Sequence, residues 1–145
     1  MEKLIVSACL LGKNCKYNGK NNYKDEIELL KDKFEIIPIC PEVFGGLGIP
    51  RLKSEINNGN VINEEGIDVT KYFVSGANKA LELAKDSKYA LLKDGSPSCG
   101  SSIIYDGTFT QTKINGMGIT AKLFKDNSII IFNENEIEKL LDVIL

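Results

Sequence analysis

The sequence predicts an α/β fold, with residues 1–145 as a single domain: Rossmann-like, a mostly parallel sheet flanked by helices, with a small β-hairpin insertion. Three observations carry this. Short, continuous apolar runs rich in Ile, Val and Leu recur along the chain, as strands buried on both faces do. Stretches of helical periodicity alternate with them, which is the pattern of a parallel sheet built from crossovers. The 145 residues suffice to bury one core without disulfide staples.

The first strand is KLIVSACLL, Lys3 to Leu11. A polar loop rich in Gly and Asn, GKNCKYNGKNN, follows it, and a modest helix is expected over Asp25 to Lys33 with Ile27 and Leu30 on one side. FEIIPICP is the second strand, ending at Cys40 and stopped by Pro41. The next stretch, EVFGGLGIPRLKSEINNGNVINEEG, carries no regular signal. Unstructured runs longer than about 12–15 residues in compact domains are usually functional loops, and this one is expected to be such a loop. Asp68 can cap the helix that follows, where Val69, Phe73, Ala77, Ala80 and Ala84 share a face. KYALLKD is the third strand and leads into DGSPSCGSS. SSIIYDGTFT reads as a hairpin turning at Asp106-Gly107. NGMG precedes a helix near Ile119 to Lys125, and SIIIF is another buried strand. The last helix places Ile137, Leu140, Leu141 and Ile144 at i, i+3, i+4 and i+7.

Composition narrows the function classes. At 43% hydrophobic and 26% charged the chain is an ordinary globular sequence, and a net charge of -2 gives no broad basic face. No nucleic-acid polymer is expected as a partner. No apolar run approaches the ~20 residues that span a bilayer, so no membrane is expected. MEKLIVSAC is similar to a lipoprotein cleavage site, but its apolar run falls short of the ~7–15 residues of a signal core. It reads as a buried strand, and the expected location is cytoplasmic, where thiols stay reduced. The four cysteines are then metal ligands or reactive groups rather than bridges. There is no histidine at all, which removes Ser-His and Cys-His pairs, HExxH and Cys₂His₂ sites. Any general acid or base must be Asp, Glu, Lys, Tyr, Cys or water.

Three cysteines share one kind of place: Cys9 near the end of the first strand, Cys40 at the end of the second, and Cys99 just beyond the third. Ligands of parallel sheets bind outside the carboxyl ends of the strands, so these thiols converge on one edge. Without histidine they suit soft metals: zinc, copper(I) or iron–sulfur. A structural zinc site closes with four ligands, whereas three ligands and an open position suit chemistry. Cys15 is a possible fourth ligand, although its polar loop favours a supporting or surface role. Glycine-rich turns can aim backbone N–H groups at anionic sulfur, with Gly12 and Gly100 as the candidates.

VSACLLGKNCKYNG, PICPEVFGGLGIPR, GIDVT with GANKALELA, and LLKDGSPSCGSSIIYDGTF occur in this order over nearly the whole chain. Together they resemble the 2-thiouracil desulfurase family. The chain departs from the family where CKYNG replaces the usual CRYDG and where GGLGIPR replaces GGLPTPR, and the first change makes Lys16 a poor bidentate anion clamp. The resemblance implies a 4Fe-4S cluster held by Cys9, Cys40 and Cys99, with one iron left without a protein ligand. It further implies that this iron captures the sulfur of a thiolated nucleobase, nucleotide or related small thio-compound, and that water replaces the sulfur without net redox change. Glu42, two residues after Cys40, is implied as the base that takes the proton of water, and Ser96 as a catalytic contact. Ser98, Arg51 and Lys93 are candidate substrate contacts. Arg51 is the only arginine and suits a carboxylate or phosphate, its alternative being an ion pair with Glu55. Two other readings stay open: an iron–sulfur protein that binds sulfide and passes sulfur on, served by iron–sulfur assembly machinery, and a structural zinc or thiol module.

Overall fold

The computed structural model describes residues 1–144. In chain order the elements are β1 (Lys3–Ser7), a 3-10 turn (Ala8–Leu11), a second 3-10 segment (Asp25–Leu30), β2 (Glu35–Ile39), α1 (Pro41–Phe44), β3 (Ser54–Asn57), β4 (Asn60–Asn63), α2 (Thr70–Ala84), β5 (Tyr89–Leu92), β6 (Ile103–Tyr105), β7 (Lys113–Asn115), α3 (Ile119–Asp126), β8 (Ile130–Asn133) and α4 (Ile137–Asp142). Four strands form an all-parallel sheet in the order β2-β1-β5-β8. Two separate antiparallel hairpins, β3-β4 and β6-β7, stand outside it. This is the expected α/β fold, with two hairpins where the sequence suggested one.

The continuous apolar runs are explained by burial on both faces. Leu4, Val6 and Leu91 point to a core shared with Ile27, Leu30, Ile137 and Leu140. Ile5, Ala90 and Leu92 point the other way, against Ala80 and Ala84 of α2 and Ala121 and Phe124 of α3. Strand alternation thus feeds two helical layers from one apolar run. On α2, Val69, Phe73, Ala77, Ala80 and Ala84 are all buried, and Asp68 accepts the amide of Thr70 at 2.9 Å.

Several expectations change, among them the helix over Asp25 to Lys33, which is a 3-10 segment at Asp25–Leu30. The first strand ends at Ser7, and the chain tightens into a 3-10 turn that carries Cys9. Pro41 does more than stop β2: it opens α1, where its fixed φ fits the first helical position. The long stretch after Cys40 is ordered. It contains α1 and the β3-β4 hairpin, which turns at Asn58-Gly59 with φ of 52° and 83°. Two consecutive positive φ values are what a tight hairpin turn demands, and Asn-Gly supplies them.

Candidate active site

A cavity of about 640 Å³ opens at the carboxyl ends of the parallel strands, where β1 turns to β2 on one side and neighbours β5 on the other. Such reversals of strand order leave a crevice, the expected ligand site of an open parallel sheet. Cys9 reaches the cavity from the 3-10 turn after β1, Cys40 from the start of α1 after β2, and Cys99 from the loop after β5. Cys15 lines it as well. No three Cys, Asp or Glu side chains among the described residues converge tightly enough to hold a single metal ion. Thiols spread around an open cavity, with no nitrogen donor, are a donor set for a multi-atom iron–sulfur cluster.

The thiols differ in their surroundings. Burial pushes the Cys9 thiol up, opposed by a hydrogen bond from Asn22, and burial likewise raises Cys99. Cys40 is lowered to about 7, first by its hydrogen bond with Cys15, against the effect of burial, and then by the Val43 amide and Arg51. Cys15 moves up in return, through that same hydrogen bond and burial. Cys40 is therefore the thiol readiest to ionise, while Cys9 and Cys99 would ionise when a bound cation stabilises their thiolates.

The loop DGSPSCGSS is organised by its first residue. Asp94 is 7% exposed, and its Oδ1 accepts the amides of Gly95, Ser101, Ser102 and Ile103 at 3.0–3.2 Å. The Ser102 hydroxyl donates to Oδ2. Burial by itself would raise the Asp94 carboxyl, but these donors outweigh it and hold the group below its ordinary value. Ser96 Oγ accepts the amides of Ser98 and Cys99, each at 3.0 Å, and so fixes the backbone that presents the Cys99 thiol. Ser98 lines the cavity but its hydroxyl is paired with Thr120 at 2.9 Å and is 1% exposed. That pairing disagrees with a substrate contact through the Ser98 hydroxyl. Gly12 and Gly100 do not line the cavity, and their amides donate to the carbonyls of Cys9 and Ser96. Their contribution is backbone shape: Gly12 sits at φ 93°, and a Cβ on Gly100 would lie 2.6 Å from the Ile103 carbonyl.

Glu42 stands on α1, beside Cys40. Its Oε1 accepts Arg51 Nε at 3.0 Å, and the two side chains are 17% and 9% exposed. Arg51 also donates to the carbonyls of Cys15 at 2.9 Å and Gly48 at 3.2 Å. Its partner is Glu42 and not Glu55, and the fork is occupied by protein groups rather than left open as an anion clamp. The Cys15 carbonyl lies 3.7 Å from Cys40 Sγ, so Arg51 ties the base candidate and the second cysteine into one unit. Lys93 pairs with Glu134 at 2.9 Å and donates to the Asp94 carbonyl at 2.7 Å. Glu134, just after β8, accepts the Asp94 amide at 2.8 Å.

Apart from Lys16, another part of the lining was not legible as site from the sequence. It includes Lys16, Tyr17, Lys53, Tyr105, Phe109 and Lys113. Lys16 and Lys53 both lie over the Tyr17 ring, and Lys113 lies over Tyr105.

A model of the 2-thiouracil desulfurase family matches residues 4–136. YbbK of Bacillus subtilis strain 168, an uncharacterised protein, is 38% identical over 150 residues, spanning 95% of this chain and 99% of that one. A solved structure of TudS, a 4Fe-4S-dependent thiouracil desulfidase, matches with a TM-score of 0.93 at 39% identity, covering 99% of this chain and 97% of that chain.

Proposed function

This chain belongs to the 2-thiouracil desulfurase family, and from that premise we propose that it is a C–S bond-cleaving enzyme that replaces the sulfur of a thiolated nucleobase or nucleotide by the oxygen of water. The observation that carries the reading is the meeting of three strand-end cysteines with a clamped glutamate in one cavity. Cys9, Cys40 and Cys99 would hold a 4Fe-4S cluster, which would supply a soft Lewis acid for a thiocarbonyl sulfur at an iron without a protein ligand.

The protein's own groups do the rest. Glu42 takes one proton from the attacking water as oxygen bonds to carbon and returns it to the departing sulfur as the C–S bond breaks; the remaining hydroxyl proton is lost to solvent as the C=O bond forms, leaving hydrosulfide and the carbonyl product. Arg51 holds that carboxylate in one orientation. The Ser96 hydroxyl, acceptor for two amides, keeps its own proton to donate toward the substrate. Lys16, Lys53 and Lys113 in the cavity lining suit an anionic substituent such as a phosphate, a task the engaged Arg51 fork leaves to them.

Anaerobic purification tests the reading. We expect a brown protein with iron and acid-labile sulfide, lost in Cys99→Ala, that converts 2-thiouracil to uracil. A colourless, zinc-loaded protein overturns it. A cluster-bearing protein that converts neither 2-thiouracil nor its nucleotide would instead be a sulfide carrier. Phosphate recognition is checked separately: Lys53→Ala should raise KM for the thionucleotide and leave that for the free base.

A further inference from the structure

The seven-residue loop between β6 and β7 has no role in the chemistry above, yet Phe109 and Gln111 within it line the same cavity as the cysteines. Its backbone is unusual. Phe109 and Gln111 have φ of 58° and 62°, a region costly for side chains larger than Asn or Gly. Such conformations persist when the surroundings over-determine them, and they cluster where a ligand is held.

Here the determinant is a buried carboxylate from another hairpin. Glu55 of β3 is 6% exposed, and its Oε1 accepts the amides of Gly107 at 3.0 Å and Phe109 at 3.1 Å. Gly107 is pressed onto β3, its absent Cβ leaving 2.8 Å to the Ile56 carbonyl. On the outside the loop is zipped by hydroxyls: Thr108 donates to Asp106, and Thr108, Thr110 and Thr112 form a chain at 2.6 and 2.8 Å. A bulky aromatic residue is thus fixed in a strained conformation beside the cavity. Tyr17 and Tyr105 carry lysines over their rings. Among the described residues Phe109 carries none, which leaves it to a neutral flat partner.

We propose that Phe109 is the specificity-determining stacking wall for a planar conjugated ring, and that Glu55 is the positioning residue that holds it there. The ring is the substrate class of the proposed reaction, so the proposal rests on that reading, but its test does not need turnover. Uracil and 5,6-dihydrouracil share a hydrogen-bonding edge and differ in planarity. Their affinities for the holoprotein are measured by calorimetry. Stacking on one aromatic face predicts that uracil binds roughly tenfold more tightly. Phe109→Tyr should keep that ratio, Phe109→Leu should bring it close to one, and Glu55→Ala, which removes the acceptor of the Gly107 and Phe109 amides, should reduce it. A ratio near one in the unmodified protein, or a ratio unaffected by Phe109→Leu, overturns the proposal. Failure of 2-thiouracil turnover alongside an intact, Phe109-dependent ratio overturns the desulfurase reading and leaves the wall.

Discussion

Arg51 decides what Glu42 can do. With side chains 9% and 17% exposed, the pair is close to buried, and removing one partner of such a pair costs about 3–5 kcal/mol because the other charge is stranded. Arg51→Met should therefore lower stability on that scale and slow turnover. Arg51→Lys separates the two effects: it restores a charge but not a planar fork reaching Glu42, Cys15 and Gly48 at once. We expect kcat in Arg51→Lys to fall roughly 100-fold, the scale on which a misplacement of about 1 Å acts, with iron content unchanged. Unimpaired kcat would show that the fork does not orient Glu42. Asp94 sets a second residue-level prediction. Its carboxyl is held below the ordinary value of 3.8 in the folded protein, so its contribution is present above that value and lost as pH falls through the lower, folded one. Denaturant melts at about pH 6 and about pH 3 should show this loss in the wild type and not in Asp94→Asn. The variant should be less stable at the higher pH by roughly 1–3 kcal/mol, the cost of weakening acceptance from several buried amides.

At the scale of elements, α1 is approached by α2 at backbone distance, besides the side-chain contacts of Glu42 and Phe44. A Cβ on Gly76 of α2 would sit 1.8 Å from the Pro41 carbonyl, and one on Gly45 would sit 1.9 Å from the Tyr72 carbonyl. Gly76→Ala must push α1 away, and Glu42 moves with it. Overpacking of this kind costs about 1–3 kcal/mol, and turnover should fall more than stability does, read from kcat and a melt on the same sample. An unchanged kcat would mean that α1 tolerates the shift. The period of α2 was legible because five apolar positions recur on one face, yet its glycine contact was not, since periodicity says nothing about how closely a helix is approached. β3 and β4 were missed for a related reason. Each has four residues, and only Glu55, Val61 and Asn63 among them are buried, too few to write an alternating apolar pattern. The Asn58-Gly59 turn was the available signal. Asp106-Gly107 misled in the opposite sense: a tight two-residue turn was expected, but Glu55, distant in sequence, captures the Gly107 amide and opens the loop.

For the whole molecule, the three cysteines were legible as a set because a parallel sheet delivers its strand ends to one side whatever the sequence distance between them. The groups that support them were not, since Glu134 meets Asp94 across 40 residues and Arg51 meets Cys15 across 36. Cys9, Cys40 and Cys99 belong to three segments, following β1, β2 and β5. A cluster bound by all three would bridge the loops of three adjacent strands, β2, β1 and β5, and whatever binds only the folded state stabilises it by mass action. Stripping it should leave the sheet, whose two cores meet the cavity only at their margins, through Cys9, Ile39 and Cys99, but loosen the loops that carry the thiols. A contribution of about 2 kcal/mol corresponds to a midpoint shift of roughly 5–10 °C in a domain of this size. Anaerobic chelation followed by differential scanning calorimetry and limited proteolysis measures both effects. Cleavage should appear first in the polar loop around Cys15 and after Cys99, with far-ultraviolet dichroism nearly unchanged. A midpoint indifferent to iron content would mean that the thiols are already fixed by their hydrogen bonds, and that the cavity is rigid before anything enters it.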